Sequence, residues 1–213
     1  MNTDRLMVML ATGIGAIDVT SSRRRFPYAV ALATGLSVLL MAAWLGVRST
    51  LAAGAHLPMF WFKELFCLAL AAGGLFASSR LARPGASLAL APALIAATIL
   101  VMWGAAAVDL LQAPAAQRSR LMMGISANEC TLNVVALSIP FLLAVMWAMK
   151  GLAPTRLRQA GAIAGFASGA MGALVYSLHC PELAAPFLAI WYVLGMMIPA
   201  AVGALLGPWL LRW

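Results

Sequence analysis

Six long apolar segments without a charged side chain constrain the fold of this chain more than any other feature. They cover residues 26–47, 65–79, 84–108, 130–149, 159–178 and 183–211. A helix needs roughly 20 apolar residues to cross the hydrocarbon core of a bilayer, and most of these segments reach that length. The second segment is shorter, but the aromatic cluster at 60–62 and Arg80 can extend it by anchoring at the two interfaces. The pattern predicts an all-α integral membrane protein, a bundle of six transmembrane helices.

The composition excludes a water-soluble fold. Of 213 residues, 64% are hydrophobic and only 9% are charged, whereas about 25% of the residues of a typical soluble domain are charged. The chain therefore divides into a short cytoplasmic N-terminal arm, residues 1–25, and a six-helix transmembrane domain, residues 26–213.

The formal net charge of +8 does not indicate direct binding to nucleic acid, because the basic residues flank the apolar segments. With six spans, ten basic residues fall on the side of both termini and four on the other. The ten are Arg5, Arg23, Arg24, Arg25, Arg80, Arg83, Lys150, Arg156, Arg158 and Arg212, and the four are Arg48, Lys63, Arg118 and Arg120. Because basic loops stay inside, we expect both termini to be cytoplasmic in a multi-pass protein of the bacterial inner membrane.

Two of the three cysteines fall at the surface predicted to face outward. Cys130 opens the fourth segment, and Cys180 lies between the fifth and sixth. In an oxidising compartment the two could form a disulfide that closes a loop of about 50 residues. They could instead bind a soft metal together with His179, with Glu129 and Glu182 nearby in the sequence, or they could be inert buried thiols. Cys67 is predicted to be an inert packing residue.

Other polar and glycine features favour packing over transport. Gly161, Gly165 and Gly169 lie on one ridge of the fifth segment, which allows close approach of another helix of the same chain. Charged residues such as Lys63 and Glu64 fall at the ends of segments, and the lack of charge at mid-membrane depth disfavours a transporter. The sequence contains no C-x-x-C pair, which disfavours a small membrane thiol–disulfide redox protein.

The N-terminal arm has an apolar face. Its apolar residues recur at helical spacing: Leu6, Met9, Leu10, Ile14 and Ile17. Such an arm could lie on the membrane surface or dock into a groove on a soluble partner.

Four stretches carry a resemblance to a known family. They are the arm TDRLMVMLA, the segment GISANECTLNVVALSIP, the segment APTRLRQAGAIAGFASGAMGALVYSLHCPELAAPFLAIWYVLG and the closing LLRW. In these stretches the chain resembles the six-span membrane anti-sigma factors of the NrsF type, which are negative regulators of an extracytoplasmic-function sigma factor. The resemblance extends over nearly the whole length.

The resemblance implies a regulator without enzymatic activity and without a cofactor beyond a transiently bound soft metal. It implies that the cytoplasmic face holds the sigma factor, for which the arm is the expected contact. It also implies that Cys130 and Cys180 are a pair of outward-facing thiols that sense oxidative or metal stress. His179, Pro181 and Glu182 would then form the sensing corner around Cys180, with Glu129 beside Cys130.

Overall fold

Six helices of the computed structural model are long and apolar enough to cross a membrane. The structure describes residues 3, 7, 19–47, 54, 56–82, 90–150, 152 and 154–212, and for residues 19–24 and 128 it describes the backbone alone. The long helices are α1 (Val19–Trp44), α2 (Pro58–Leu81), α3 (Ala91–Gln112), α5 (Ala127–Lys150), α6 (Leu157–Ser177) and α7 (Ala185–Leu210). The predicted all-helical bundle is confirmed for this described part of the chain.

Helix boundaries differ from the predicted ones in three places. Helix α1 begins at Val19 and therefore runs through the predicted limit of the arm at residue 25. Helix α2 begins at Pro58, well before the apolar segment at 65, because a proline is well tolerated in the first turn, where its missing N–H is not needed. Helix α3 continues to Gln112, beyond the apolar limit at 108.

A short helix, α4 (Ala115–Met123), lies between the third and fourth apolar segments, where no helix is predicted. Its nine residues include two arginines and carry no long apolar pattern, so the hydropathy argument could not detect it. Pro114 precedes it and Gly124 ends it with a positive φ of 54°.

Prolines do not break the long helices. Pro140 lies inside α5 and Pro199 inside α7, and both helices continue past them. Helix α7 does contain an irregular turn, because residues Leu188–Tyr192 adopt π-helical geometry. Such turns add a residue to the helical ladder and rotate the side chains that follow.

Helix α6 is the centre of the bundle. Its glycine ridge packs directly on α7: Gly161 faces Gly203, Gly165 faces Pro199 and Gly169 faces Met196. The predicted packing within one chain is confirmed. The other face of α6 packs on α2 and α5, so α6 is enclosed by three helices of its own chain.

The bundle has two ends, which we name by their contents. The corner end contains the turn between α6 and α7, residues 178–184, together with the start of α2 and of α5. The opposite end contains the start of α1, where the guanidinium of Arg25 lies 4.0 Å from the centre of the Trp147 ring on α5. Midway between the ends, the Ser37 hydroxyl of α1 donates a hydrogen bond to the Leu137 carbonyl of α5 at 3.0 Å.

Candidate functional site

The turn at residues 178–184, here called the HCPE turn, connects the two long apolar helices α6 and α7. The amides of His179 and Cys180 both donate to the Tyr176 carbonyl, at 2.9 and 3.0 Å, and these bonds end α6. Pro181 has no N–H and disfavours helical geometry at the residue before it. The chain therefore turns at Cys180 and starts α7 at Ala185.

Lys63 of α2 holds this turn. Its ammonium donates hydrogen bonds to the carbonyl oxygens of Ser177 and Cys180, both at 3.0 Å, and to that of Glu182 at 3.5 Å. The side chain is fully buried. The last carbonyls of a helix have no partner within the helix, and a cation near a helix C-terminus is favourable. Lys63 thus satisfies the C-terminal end of α6 and the turn that follows.

The sequence pattern does not predict this role for Lys63. The residue lies at the end of a predicted span and enters there only as one of the basic residues that indicate membrane orientation. The available signal was the Lys63–Glu64 pair inside an otherwise apolar helix, because a charge at such a position needs a buried partner. Glu64 contacts the same region, since the Ser177 hydroxyl donates to its Oε2 at 2.8 Å.

The two thiols predicted to act together lie in the same hydrophobic cluster of the core. Cys130 and Cys180 are both fully buried, both are free thiols, and Cys130 is close enough to lower the pKa of the Cys180 thiol. The Ser126 hydroxyl lies 4.0 Å from the Cys180 sulfur. Cys67 is also buried and lies within electrostatic range of Cys180. The corner end therefore gathers all three thiols of the chain.

The environment of Cys180 favours its thiolate. The pKa of Cys180 is lowered to about 6, chiefly because the Cys130 thiol donates a hydrogen bond to its sulfur. Burial opposes this shift, while the amide of Glu182 and the charge of Lys63 add to it. The thiolate is the form that reacts with oxidants and binds soft metals.

Tyr192 completes the surroundings of the pair. Its hydroxyl approaches the Cys180 sulfur but forms no hydrogen bond of normal geometry with any described residue. The ring is fully buried, and its centre lies 6.1 Å from that of Tyr176. Tyr192 belongs to the π-helical turn of α7, which begins three residues after Ala185.

The other predicted corner residues link the turn to neighbouring elements. His179 lies against the end of α1, with its Nδ1 at 2.9 Å from the Gly46 carbonyl. Glu182 accepts a hydrogen bond from the Ile125 amide at 2.7 Å, which connects the turn to the segment before α5. A Cβ added at Gly124 would lie 2.7 Å from the Glu182 carboxyl, so this contact requires glycine there.

Pro181 and Glu129 are exposed at the surface of the corner end. The described residues contain no group of three or more His, Cys, Asp or Glu side chains that could hold a metal ion. The residues predicted for partner binding, Leu6, Met9, Leu10, Ile14 and Ile17, lie outside the described part of the chain.

Comparison with known proteins identifies the family. A family model described as NrsF, negative regulator of sigma F, matches residues 10–213. The chain belongs to the NrsF family. As a member of that family it is a negative regulator of a sigma factor and not an enzyme, as predicted.

Two relatives match over the full length of both chains. The chain is 48% identical over 213 residues to a probable anti-sigma-F factor NrsF of Azospira oryzae. It is 36% identical over 218 aligned residues to the anti-sigma-F factor NrsF of Caulobacter vibrioides. No solved structure matches the chain.

Proposed function

We propose that this NrsF-family protein is an integral protein of the bacterial inner membrane that sequesters an extracytoplasmic-function sigma factor at its cytoplasmic face. The Cys130–Cys180 pair senses oxidative or metal stress and causes release of the sigma factor. The observation that carries the proposal is the burial of these two thiols in one hydrophobic cluster in a chain that matches anti-sigma-F factors over their whole length.

The chemistry of the pair suits both kinds of stress. An oxidant that accepts two electrons joins the two sulfurs in a disulfide, and any proton that the two thiols still carry is released. A soft metal ion displaces the same protons and binds both sulfurs, since thiolates select soft ions. Either event replaces the interaction between the Cys130 and Cys180 thiols with a covalent or metal bridge and changes how α5 packs against the HCPE turn.

Helix α5 offers a route from the thiols to the sigma factor. Cys130 lies in its first turn and Trp147 in its last, where Trp147 contacts Arg25 at the end of the predicted arm. A tightly packed helix transmits a displacement as a rigid element. Movement at Cys130 therefore reaches the segment expected to contact the partner.

The membrane orientation can be tested with introduced cysteines, because the native thiols are buried. In a cysteine-free chain, Ser119→Cys on α4 should react with an impermeant maleimide applied to intact spheroplasts. Thr155→Cys at the opposite end should react only after the membrane is opened. Both positions are exposed, so burial does not limit labelling. The reverse pattern would contradict the predicted cytoplasmic termini.

The role of the arm can be tested by deletion. Removing residues 2–20 should abolish co-purification of the sigma factor with the detergent-solubilised protein, because the apolar face of the arm is the expected contact. The shortened chain should still insert, since the six long helices keep their apolar segments. Replacing Leu6, Met9 and Leu10 by serine is a milder variant that should weaken capture in the same direction. Unchanged capture by both variants would place the binding surface on another cytoplasmic segment.

A further inference from the structure

We propose that Lys63 is a positioning residue that holds Cys180 against Cys130. The inference deepens the proposed sensing function and rests on it for the importance of the thiol pair. Lys63 acts on the backbone that carries Cys180.

The contacts of Lys63 fix the turn on both sides of Cys180. The three accepting carbonyls belong to Ser177, Cys180 and Glu182, so they bracket the cysteine in the sequence. An ammonium offers three N–H donors and no acceptor. One side chain of α2 therefore binds the backbone before, at and after Cys180.

An ordinary helix end would not need a buried charge. Helices commonly end on a glycine in left-handed geometry that satisfies the last carbonyls, whereas α6 ends on Leu178 in right-handed geometry. Burying an ammonium is costly unless hydrogen bonds compensate for the lost water. The three hydrogen bonds of Lys63 offset the cost of burying its ammonium and hold the HCPE turn in a defined conformation. A defined conformation is needed to keep the Cys130 and Cys180 thiols close together.

Lys63 is one of several ionisable groups around Cys180, and its side chain is the one whose hydrogen bonds to the carbonyls of the turn are described above. Glu64 accepts from the Ser177 hydroxyl, and Glu182 contacts the Ile125 amide through its carboxylate. The remaining groups near the Cys180 sulfur are Cys67, Cys130, Tyr176 and Tyr192. Loss of Lys63 should therefore displace the Cys180 backbone without removing any of these side chains.

Displacement of Cys180 should slow closure of a disulfide with Cys130. Disulfide geometry requires Cβ atoms about 3.8 Å apart, and a misplacement of about 1 Å costs a positioned reaction up to roughly 100-fold. We expect Lys63→Met to slow this closure by roughly 10- to 100-fold. Lys63→Arg keeps the charge and the donors and should restore the rate to within a few-fold of the parent.

The test separates access to the thiols from their mutual position. Purified protein with Cys67→Ser is treated with 5,5′-dithiobis(2-nitrobenzoate). The first thiolate attacks the reagent, forms a mixed disulfide and releases one thionitrobenzoate. The second protein thiol then attacks the mixed disulfide, closes the Cys130–Cys180 bond, loses its proton to solvent and releases a second thionitrobenzoate. The rate of the second release reports the positioning of the two sulfurs.

Lys150→Met at the far end of α5 is the matched control, because Lys150 is exposed. In this variant the second thionitrobenzoate should be released at the parent rate. Folding of each variant is checked by size-exclusion chromatography in detergent. If Lys63→Met does not fold, Lys63→Gln replaces it, because glutamine has no charge and only two N–H donors for the three carbonyls, so its second release should also be slowed. A second release as fast in the folded Met or Gln variant as in the parent would overturn the proposal.

The assay contains no sigma factor, so its outcome is independent of the proposed function. A normal rate in the Lys63 variants refutes the positioning role and leaves stress sensing intact. Stress release that persists without Cys130 and Cys180 refutes the sensing role and leaves the measured rates unchanged.

Discussion

Cys130→Ser and Cys180→Ser should each reduce stress-induced release of the sigma factor to near its uninduced level. Each substitution replaces a buried sulfur with a hydroxyl that can keep a hydrogen bond but can form neither a disulfide nor a stable bond to a soft metal. Because the reaction needs both sulfurs, the double variant should be no worse than either single one. The measurement is a reporter transcribed by the sigma factor, with co-purification of the sigma factor before and after exposure to the stress agent.

Cys67→Ser is the matched control for this experiment. Cys67 is equally buried and is predicted to be an inert packing residue, so its replacement should leave induction close to that of the parent. Single effects that differ between Cys130 and Cys180 and add in the double variant would show that the thiols do not act as a pair. Separate exposure to a hydroperoxide and to cadmium would then show whether one thiol alone serves one kind of stress.

Gly165→Ala should destabilise the bundle severely. A Cβ at this position would lie 2.6 Å from the Pro199 carbonyl carbon and 2.8 Å from the Ala200 Cα. These are backbone atoms, so the clash is relieved only if α6 and α7 separate. Overpacking of this kind costs about 1–3 kcal/mol and occasionally more, and we expect the upper part of that range. The midpoint of thermal unfolding in detergent and the yield of monodisperse protein measure the effect.

Gly104→Ala on α3 is the control for this prediction. Nothing lies within 4 Å of a Cβ built at Gly104, and alanine favours a helix over glycine by up to about 1 kcal/mol. We therefore expect unchanged or slightly higher stability at this position. Equal thermal midpoints for the two variants would mean that α6 and α7 pack less tightly than the structure shows.

The sequence by itself determined the elements of the fold. The length of the apolar segments predicted six long helices, because spanning a bilayer imposes a minimum length on each one. Three glycines at four-residue spacing predicted the close α6 packing, because only glycine lets two helix backbones approach so far. Cys130 and Cys180 were singled out by the resemblance and by their predicted common side. The sequence did not predict helix α4, because its nine residues include two arginines and show no long apolar segment.

The tertiary structure alone decided what surrounds the thiols. Lys63 contacts carbonyls that follow it by 114 to 119 residues, and no local pattern specifies such a partner. His179 is predicted to belong to the sensing corner; its Nδ1 lies 2.9 Å from the Gly46 carbonyl, and the cation that favours the Cys180 thiolate is Lys63. Hydropathy predicts which environment a side chain prefers. The hydrogen-bond partners of a buried charge are instead the groups that tertiary packing brings within about 3 Å of it. Those groups come within reach of Lys63 only when α2 packs against α6.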